Sequence, residues 1–375
     1  MSKKILFHKT HTTQEELDAV SSAVSSGWLT MGPKVIEFEN KFNEYIGSRK
    51  SVMLSSATAA LHLSLKAIGL NQGDEVIVPT NTFVATAEVV TYFNAVPVLC
   101  DIEEATHNID ISKIEELITS KTKAIIPVHF GGQPCDMDEI YTIASKYNLK
   151  IIEDAAHALP STYKGNLIGN LEGTDITCFS FYATKTLSTG EGGMATTNNY
   201  DYSKNIMINR LHGISRDVWD RYSGGGNWRY DVIDNGNKYN STDLNAALGI
   251  VQLKKLHDMN DKRKAISGKY DNAFNGRIDR LKIKDDRTTS YHLYVIKVNN
   301  RDELYSILKE NGIDTSVHFT PIHKHTYYKE KYDYINENYP VANKVFEQSL
   351  SLPIYPDLSD EDVEYIIENV LRHAK

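Results

Sequence analysis

Cysteine is scarce in this chain of 375 residues, which contains only Cys100, Cys135 and Cys178. An odd number of cysteines without the paired spacing of a metal site is not the framework of a disulfide-stapled domain. We therefore expect three reduced thiols that are buried in the fold.

Long apolar runs and an excess of positive charge are also missing. No run approaches the length that spans a bilayer, and the first residues, MSKKILFHKTHTTQEE, turn polar too soon for a signal-peptide core. Acidic residues number 49 against 41 lysines and arginines, a net charge of −8, whereas nucleic-acid-binding domains are usually basic. The sequence predicts a cytoplasmic protein that binds neither membrane nor nucleic acid. A locally basic site for an anionic substrate stays compatible with this charge.

Short apolar runs alternate with segments of helical periodicity between residues 50 and 200. The predicted strands are residues 51–54, 75–79, 96–100, 124–130, 150–154 and 176–182. This alternation predicts an α/β fold with a mostly parallel sheet and helices on both faces. Ligands of such sheets bind at the carboxyl ends of the strands.

The pattern changes near residue 245, where a long amphipathic helix is predicted to begin. The elements predicted beyond it are strands at 291–298 and 317–319 and helices at 301–311 and from about 359. We expect a large domain at residues 1–250 and a smaller α+β domain at residues 251–375.

One predicted strand end carries hydroxyl and small side chains in the segment SSATAALHLSL (55–65). The segment turns into a helix, and the small side chains of Ala57 and Ala59 allow a phosphate group to approach the free N–H groups of the helix N-terminus. An ordinary serine or threonine cap explains the same pattern.

Two further strand ends carry ionisable groups. Asp154, in IIEDAAHA, is placed to hold a pyridinium nitrogen in its protonated form, or to cap the following turn. Lys185, in CFSFYATKTLSTGEGGMATT, has mostly uncharged neighbours, so burial would lower its pKa toward the range useful for imine formation. Ser180 offers another hydroxyl for a phosphate. A lone loop lysine is more often a solvated charge, but the two strand ends meet in one crevice.

Phe83 follows the strand EVIVP in the segment NTFVAT. An aromatic side chain at a strand's carboxyl end is able to stack on a flat heteroaromatic ring, although a core position is the common alternative.

These segments together resemble one family over nearly the whole chain. GWLTMGPKVIEFENKF, SSATAALHLSL, EVIVPTNTFVAT, IIEDAAHA, SFYATKTLSTGEGGM and NKYNSTDLNAALGIVQLKKL are similar to motifs of the DegT/DnrJ/EryC1 sugar aminotransferases. The resemblance implies an aspartate-aminotransferase-like (fold type I) large domain, with pyridoxal 5′-phosphate as cofactor. Within the family, the chain resembles the 4-aminotransferases of nucleotide-linked 4-keto sugars.

The resemblance also implies roles for individual residues. Lys185 would carry the cofactor as a Schiff base and move a proton between the substrate and the cofactor, with Asp154 on the pyridine nitrogen. The other implied cofactor contacts are His157 at the phenolic oxygen, Phe83 on the ring, Ala57, Thr58 and Ser180 at the phosphate, and Asn240 from the second subunit of a homodimer.

The expected partners are L-glutamate as amino donor and a ketone acceptor, a nucleotide sugar. His318, His323 and Arg229 are candidate acceptor contacts, although solvated surface charge is the default interpretation of Arg229. No metal site is expected, because the histidines at 318–325 have no cysteine or acidic partner nearby. A smaller ketone acceptor, such as a keto-phosphate or an inositol-type ketone, and a non-catalytic regulator remain alternatives.

Overall fold

A seven-stranded sheet forms the centre of the large domain. The computed structural model describes residues 4–215 and 230–375. The main strands run in the order β1-β9-β8-β5-β4-β2-β3. Their bounds are β1 Lys50–Leu54, β2 Glu75–Pro79, β3 Val96–Cys100, β4 Thr122–Ile125, β5 Lys150–Asp154, β8 Ile176–Ser180 and β9 Gly193–Thr197, with a small hairpin of β6 Thr162–Tyr163 and β7 Asn166–Leu167.

The sheet is mostly parallel, as predicted. Only β9 runs antiparallel to its neighbours, β1 and β8, whereas the pairings among β2, β3, β4, β5 and β8 are parallel. The regular strand predicted at 124–130 stops at Ile125; Val128 forms an isolated bridge with Asp154, and a short helical turn follows at Phe130–Gly132.

Helices cover both faces of this sheet, which explains the continuous apolar runs of its strands. Val52 and Leu54 face one buried cluster, whereas Met53 between them faces the other. α3, α4 and α6 pack on the first face, and α2, α5 and α7 pack on the second. The helices of this part are α1 Gln14–Ser25, α2 Pro33–Ile46, α3 Ala57–Ala67, α4 Ala85–Thr91, α5 Met137–Tyr147, α6 Tyr200–Asn209 and α7 Asp243–Phe274.

The long helix α7 joins the two parts of the molecule. Leu253 and Leu256 pack in the core of the large domain, and Tyr270 and Phe274 pack in a separate C-terminal core. That second core is built on a three-stranded sheet. Its elements and their neighbours are β10 Asp279–Arg280, β11 Tyr294–Lys297, α8 Arg301–Glu310, α9 Thr326–Tyr332, α10 Pro340–Gln348, β12 Ser349–Leu352 and α11 Asp360–His373.

Four details of the structure differ from the predicted organisation. The boundary at residue 250 falls inside α7, and Ile5 packs in the C-terminal core rather than in the large domain. The segment around α10 packs back on the large domain through Ala342 and Val345. The strand predicted at 317–319 is absent from the described residues, where only Ser316 forms a bridge to the small sheet.

The three cysteines are free and buried, in agreement with the sequence analysis. Within residues 4–215 and 230–375, no helix combines the length and the apolar character that a membrane crossing requires.

Candidate active site

A cavity of about 480 Å³ opens where the carboxyl ends of β5 and β8 meet the N-terminus of α3. It lies between the large sheet and the C-terminal part of the chain. Residues that line it include Ser56, Ala57, Thr58, Phe83, Asp154, His157, Ser180 and Lys185 from one side, and Phe7, His8, His292, His318, Phe319 and Ile354 from the other. Seven of the predicted cofactor contacts therefore share one cavity.

One end of the cavity is built on a row of three paired residues. Gly193 in β9 lies between Leu54 of β1 and Ser180 of β8. A Cβ atom on Gly193 would lie 2.4 Å from the backbone carbonyl group of Ser56. The absent side chain lets the turn between β1 and α3 approach β9, so that this turn and Ser180 face the same space.

The first turn of α3 has amide groups available for an anion. Ser56 is the N-cap, and its hydroxyl oxygen accepts a hydrogen bond from Ala59 N–H at 3.0 Å. The carbonyl of Ser56 accepts from Ala60. The amides of Ala57 and Thr58 have no acceptor among the described residues, and they carry the positive end of the helix dipole. These amides are therefore available to bind an anion at this end of the cavity.

Asp154 is fixed at the end of β5 by two donors. Its Oδ2 accepts from Thr86 Oγ1 at 2.8 Å, and its Oδ1 accepts from Ala156 N–H at 3.1 Å. Because a carboxylate only accepts, the Thr86 proton goes to Asp154, and Thr82 Oγ1 donates to Thr86 at 2.8 Å. Burial raises the pKa of Asp154, and these hydrogen bonds and the charge of Lys185 oppose that shift.

Lys185 lies in the loop after β8, where burial lowers its pKa from 10.5 to about 8 and the charge of Asp154 partly opposes this change. Among the described residues, none forms a hydrogen bond or an ion pair with Lys185 Nζ. A free amine of lowered pKa is a nucleophile near neutral pH and is able to attack an aldehyde.

His157 is buried beside the cavity as a neutral ring. Its Nδ1 accepts from Gly131 N–H at 3.3 Å, so in the neutral ring Nε2 carries the proton and is a donor. Burial, followed by the charge of Lys185, holds the pKa of His157 well below its ordinary value. The ring stacks against Phe319 with a centroid separation of 5.9 Å.

Phe83 and His318 lie on the cavity wall as well. Phe83 is 58% exposed, with Phe319 as a ring neighbour at 6.0 Å, so the face of its ring is open to a flat ligand. His318 hydrogen-bonds through Nδ1 to Ser351 Oγ at 2.8 Å, and burial lowers its pKa to about 4.

The structure does not place His323 in the cavity, which corrects its assignment as an acceptor contact. Its Nδ1 pairs with Thr80 Oγ1 at 2.7 Å, and its Nε2 pairs with Asn343 Oδ1 at 3.0 Å. The ring is buried and stacks on Tyr339 at 4.5 Å. With both nitrogens satisfied, His323 joins the segment around α10 to the large domain.

Two other predicted contacts lie outside this cavity or outside the described chain. The backbone of Asn240 forms a bridge with Leu54, close to the turn that precedes α3. Its side chain contacts Lys238 and the carbonyl oxygen of Ser241, and it is not among the described residues that line the cavity. Arg229 belongs to the segment that the structure does not describe.

Three residues with functional positions were missed by the sequence analysis. Thr86 orients Asp154, and its only signal was its place in NTFVAT. His8 and His292 line the cavity, each with a buried ring nitrogen that has no hydrogen bond among the described residues. No local motif marked either histidine.

One cavity contains an amine of lowered pKa, a buried carboxylate and helix amides that have no acceptor among the described residues. Pyridoxal phosphate requires these three groups for its aldehyde, its ring nitrogen and its phosphate, respectively. The close approach of Ser56 to Gly193 fits the phosphate end in particular. The fold and the site therefore define an α/β enzyme of the pyridoxal-phosphate-dependent class.

Comparison with known proteins agrees. The profile of the DegT/DnrJ/EryC1/StrS aminotransferase family matches residues 10–371. The chain is 46% identical over 367 residues to the spore coat polysaccharide biosynthesis protein SpsC of Bacillus subtilis, covering 95% of this chain and 94% of SpsC. The chain belongs to the DegT/DnrJ/EryC1/StrS family and is a pyridoxal-phosphate-dependent aminotransferase.

Solved structures resemble this chain over nearly their full length. The candidate sugar aminotransferase Spr1654 of Streptococcus pneumoniae, in its PMP form, superimposes with a TM-score of 0.92 at 37% identity, covering 98% of both chains. Helicobacter pylori PseC, an aminotransferase involved in the biosynthesis of pseudoaminic acid, gives a TM-score of 0.90 at 27% identity, covering 99% of both chains. These neighbours confirm the predicted aspartate-aminotransferase-like (fold type I) architecture.

Proposed function

We propose that this aminotransferase moves the amino group of L-glutamate to the C4 keto group of a nucleotide-linked keto-deoxysugar, in the synthesis of surface-glycan precursors. The observation that carries the proposal is the meeting of Lys185, Asp154 and the first-turn amides of α3 in one cavity. The choice of acceptor is supported by relatives that are named for spore coat polysaccharide biosynthesis and as a candidate sugar aminotransferase.

Each residue of the cavity has a distinct task in this proposal. Pyridoxal phosphate, when bound, supplies an aldehyde that exchanges amines and a ring that withdraws electrons from the adjacent carbon. Asp154 keeps the ring nitrogen protonated, and Thr86 orients its carboxylate. Ala57, Thr58 and Ser180 bind the phosphate, His157 donates to the phenolic oxygen, and Phe83 covers one face of the ring.

Lys185 is the group that moves protons. As a free base, its Nζ takes up the proton that leaves the amine-bearing carbon of glutamate and returns a proton when the amine is handed to the acceptor. A pKa of about 8 leaves a usable fraction of free amine near neutral pH. His318 remains the proposed acceptor contact on the opposite wall, because it lines the cavity.

A homodimer completes the proposed site. Asn240 lies outside the cavity of its own chain, although the family resemblance assigns its position to the phosphate. We therefore assign it to the cofactor of the partner subunit across a two-fold axis. Arg229 stays a proposed acceptor contact.

The two halves of the reaction test the proposal separately. The loaded enzyme is first mixed with L-glutamate, which should abolish the visible absorption of the cofactor and release 2-oxoglutarate. The aminated enzyme is then offered UDP- and dTDP-linked 4-keto-6-deoxyhexoses and 3-keto-6-deoxyhexoses, an inositol-type ketone and a keto-phosphate. We expect the absorption to return with a nucleotide sugar, and NMR of the product to place the amine at C4.

Lys185→Ala is the matched control, since it should give no spectral response in either half. Return of the absorption with the inositol-type ketone or the keto-phosphate alone would reject the nucleotide-sugar acceptor. Amination of a nucleotide sugar at C3 alone would reject only the proposed C4 position of the keto group.

A further inference from the structure

The imidazole of His318 lines the cavity on the side formed by the C-terminal part of the chain. The ring stacks on Phe7, with a centroid separation of 5.6 Å and an angle of 29° between the planes. Its Nδ1 meets Ser351 Oγ at 2.8 Å. Among the described residues, Nε2 has no hydrogen bond, and it is not one of their fully buried polar atoms. Nε2 is therefore the ring nitrogen that is open to the cavity.

Ser351 is held in place by main-chain pairing on both sides. It lies in β12, in register with Val295 of β11, and it forms an antiparallel bridge with Ser316 on its other side. Ser351 N–H donates to the Ser316 carbonyl at 2.8 Å, and Ser316 N–H donates back at 3.2 Å. Because His318 follows Ser316 by two residues, this pairing brings its ring to the Ser351 hydroxyl.

The hydrogen bond between the two side chains can run in two directions. If Nδ1–H donated, the Ser351 hydroxyl would accept, and its own proton would need another acceptor. Ser351 is buried, and its hydroxyl forms no second hydrogen bond among the described residues. A buried donor without a partner is costly. The Ser351 hydroxyl therefore donates to Nδ1, and in the neutral ring the proton lies on Nε2.

This proton gives the ring one defined function at the cavity. Burial, followed by the charge of Lys185, lowers the pKa of His318 to about 4, so the ring is uncharged near pH 7. Nε2–H is then a donor that binds a carbonyl, hydroxyl or phosphate oxygen of a ligand. A ring without the Ser351 hydroxyl would also adopt the other tautomer, in which Nε2 has no proton to donate.

From these contacts we propose that Ser351 is a positioning residue, whose hydroxyl donates to Nδ1 of His318 and thereby keeps Nε2–H as the hydrogen-bond donor to an oxygen atom of the ketone acceptor. The inference rests on the proposed function, in which His318 contacts the acceptor. It adds the residue that fixes the proton of this contact. The position of the proton does not depend on which ketone reacts.

Four variants test the assignment. Ser351→Ala removes the hydroxyl. Ser349→Ala is the matched control, because Ser349 lies on the same strand, both serines are 1% exposed, and the Ser349 hydroxyl has no hydrogen bond among the described residues. His318→Phe keeps a flat ring without nitrogen atoms, and its combination with Ser351→Ala completes a double-mutant cycle.

NMR of the cofactor-free protein with ¹⁵N-labelled histidine shows which ring nitrogen of His318 is protonated, and the signals of this ring are those missing from His318→Phe. We expect the proton on Nε2 in wild type and in Ser349→Ala, and both tautomers in Ser351→Ala. A proton on Nδ1 in wild type, or an unchanged ring in Ser351→Ala, would overturn the inference, whichever ketone the enzyme accepts.

The kinetic test uses the aminated enzymes and a UDP- or dTDP-linked 4-keto-6-deoxyhexose. We expect Ser351→Ala to lower kcat/KM about 3- to 10-fold, mainly through KM, as for the loss of one neutral hydrogen bond. Ser349→Ala should match wild type. In the His318→Phe background, Ser351→Ala should change kcat/KM by less than about 2-fold, because the ring through which Ser351 acts is absent.

Equal losses in Ser351→Ala and Ser349→Ala would overturn the inference, because they indicate a role in the packing of β12. A loss that persists in the His318→Phe background would overturn it as well. If wild type rejects every nucleotide sugar, the proposed acceptor fails, and the same cycle with the ketone that is accepted decides the role of Ser351. If His318→Phe reacts like wild type, the inference fails while the proposed transamination stands.

Discussion

Lys185 and Asp154 lie in one cavity, where burial favours the uncharged form of each group. It lowers the pKa of Lys185 and raises the pKa of Asp154. Each group also opposes the other's shift through its charge. Such perturbed pKa values cluster at functional sites. The burial that activates a group also destabilises its charged form and therefore costs stability of the fold.

This cost gives the first prediction, for the variant Lys185→Met in the cofactor-free protein. The pKa of Lys185 in the fold is about 8, below the 10.5 of the unfolded chain. Between these values the unfolded chain binds more protons, so stability rises with pH, and the full penalty is present below about pH 8. We expect the variant to be more stable near pH 7 by up to about 3 kcal/mol.

Denaturant unfolding near pH 7 and near pH 10 measures the effect. The difference in free energy of unfolding between the two proteins should shrink at the higher pH. A difference that is the same at both pH values would come from packing alone and would contradict the pKa argument.

The second prediction concerns the charge of Asp154. Asp154→Asn should still bind pyridoxal phosphate, because the amides of α3 are untouched, but turnover should fall at least about 100-fold when the ring nitrogen loses its anionic partner. Thr86→Val is the control: it removes the 2.8 Å hydrogen bond and keeps the charge, so its loss should be smaller. Cofactor affinity by spectral titration and kcat separate the two effects, and near-normal kcat in Asp154→Asn would refute the role.

At the scale of elements, the phosphate end depends on how closely β9 and the β1–α3 turn approach each other. Gly193→Ala would place a Cβ atom 2.4 Å from the Ser56 carbonyl and 2.6 Å from Ala57 N. The turn must shift and carry the amides of α3 with it. We expect the Kd for pyridoxal phosphate to rise at least about 10-fold, as for the loss of one charge-assisted hydrogen bond.

Gly268→Ala in α7 is the matched control for this prediction, because nothing lies within 4 Å of its added Cβ atom. It should leave the Kd unchanged and raise the free energy of unfolding by about 0.5–1 kcal/mol through helix propensity. If Gly193→Ala binds the cofactor as tightly as Gly268→Ala, the close approach does not shape the phosphate end.

At the scale of the whole molecule, the proposed homodimer predicts that two inactive variants restore each other. Lys185→Ala and Asn240→Leu are unfolded together and refolded as a mixture. If Asn240 acts on the partner subunit, each hybrid dimer contains one intact site, and hybrids form about half of the dimers. We therefore expect about a quarter of wild-type activity, measured with L-glutamate and 2-oxoglutarate formation.

The outcome distinguishes the two placements of Asn240. If it acted within its own chain, neither site of a hybrid would be intact and the mixture would stay inactive. Each variant refolded alone provides the baseline, and sedimentation of the mixture establishes that the chains associate.

The sequence alone determined the strands of the central sheet and the ionisable residues at their carboxyl ends. β2, β3 and β5 have the predicted bounds, because short apolar runs between turn signals leave few other conformations. Asp154, Ser180 and Lys185 were identifiable because the carboxyl ends of neighbouring strands meet at one edge of a sheet.

Tertiary structure decided which distant side chains complete the cavity. His8 lines the cavity with Lys185 only because residues 5–11 pack along its wall, and His292 only because the C-terminal part packs on the large domain. His323 was predicted to contact the acceptor, yet Thr80 and Asn343 bind both its nitrogens. Local sequence patterns specify strands and their ends, because the apolar spacing and turn residues that define a strand lie within a few positions of one another. Whether a histidine faces a ligand or a neighbour depends on packing between segments far apart in the chain.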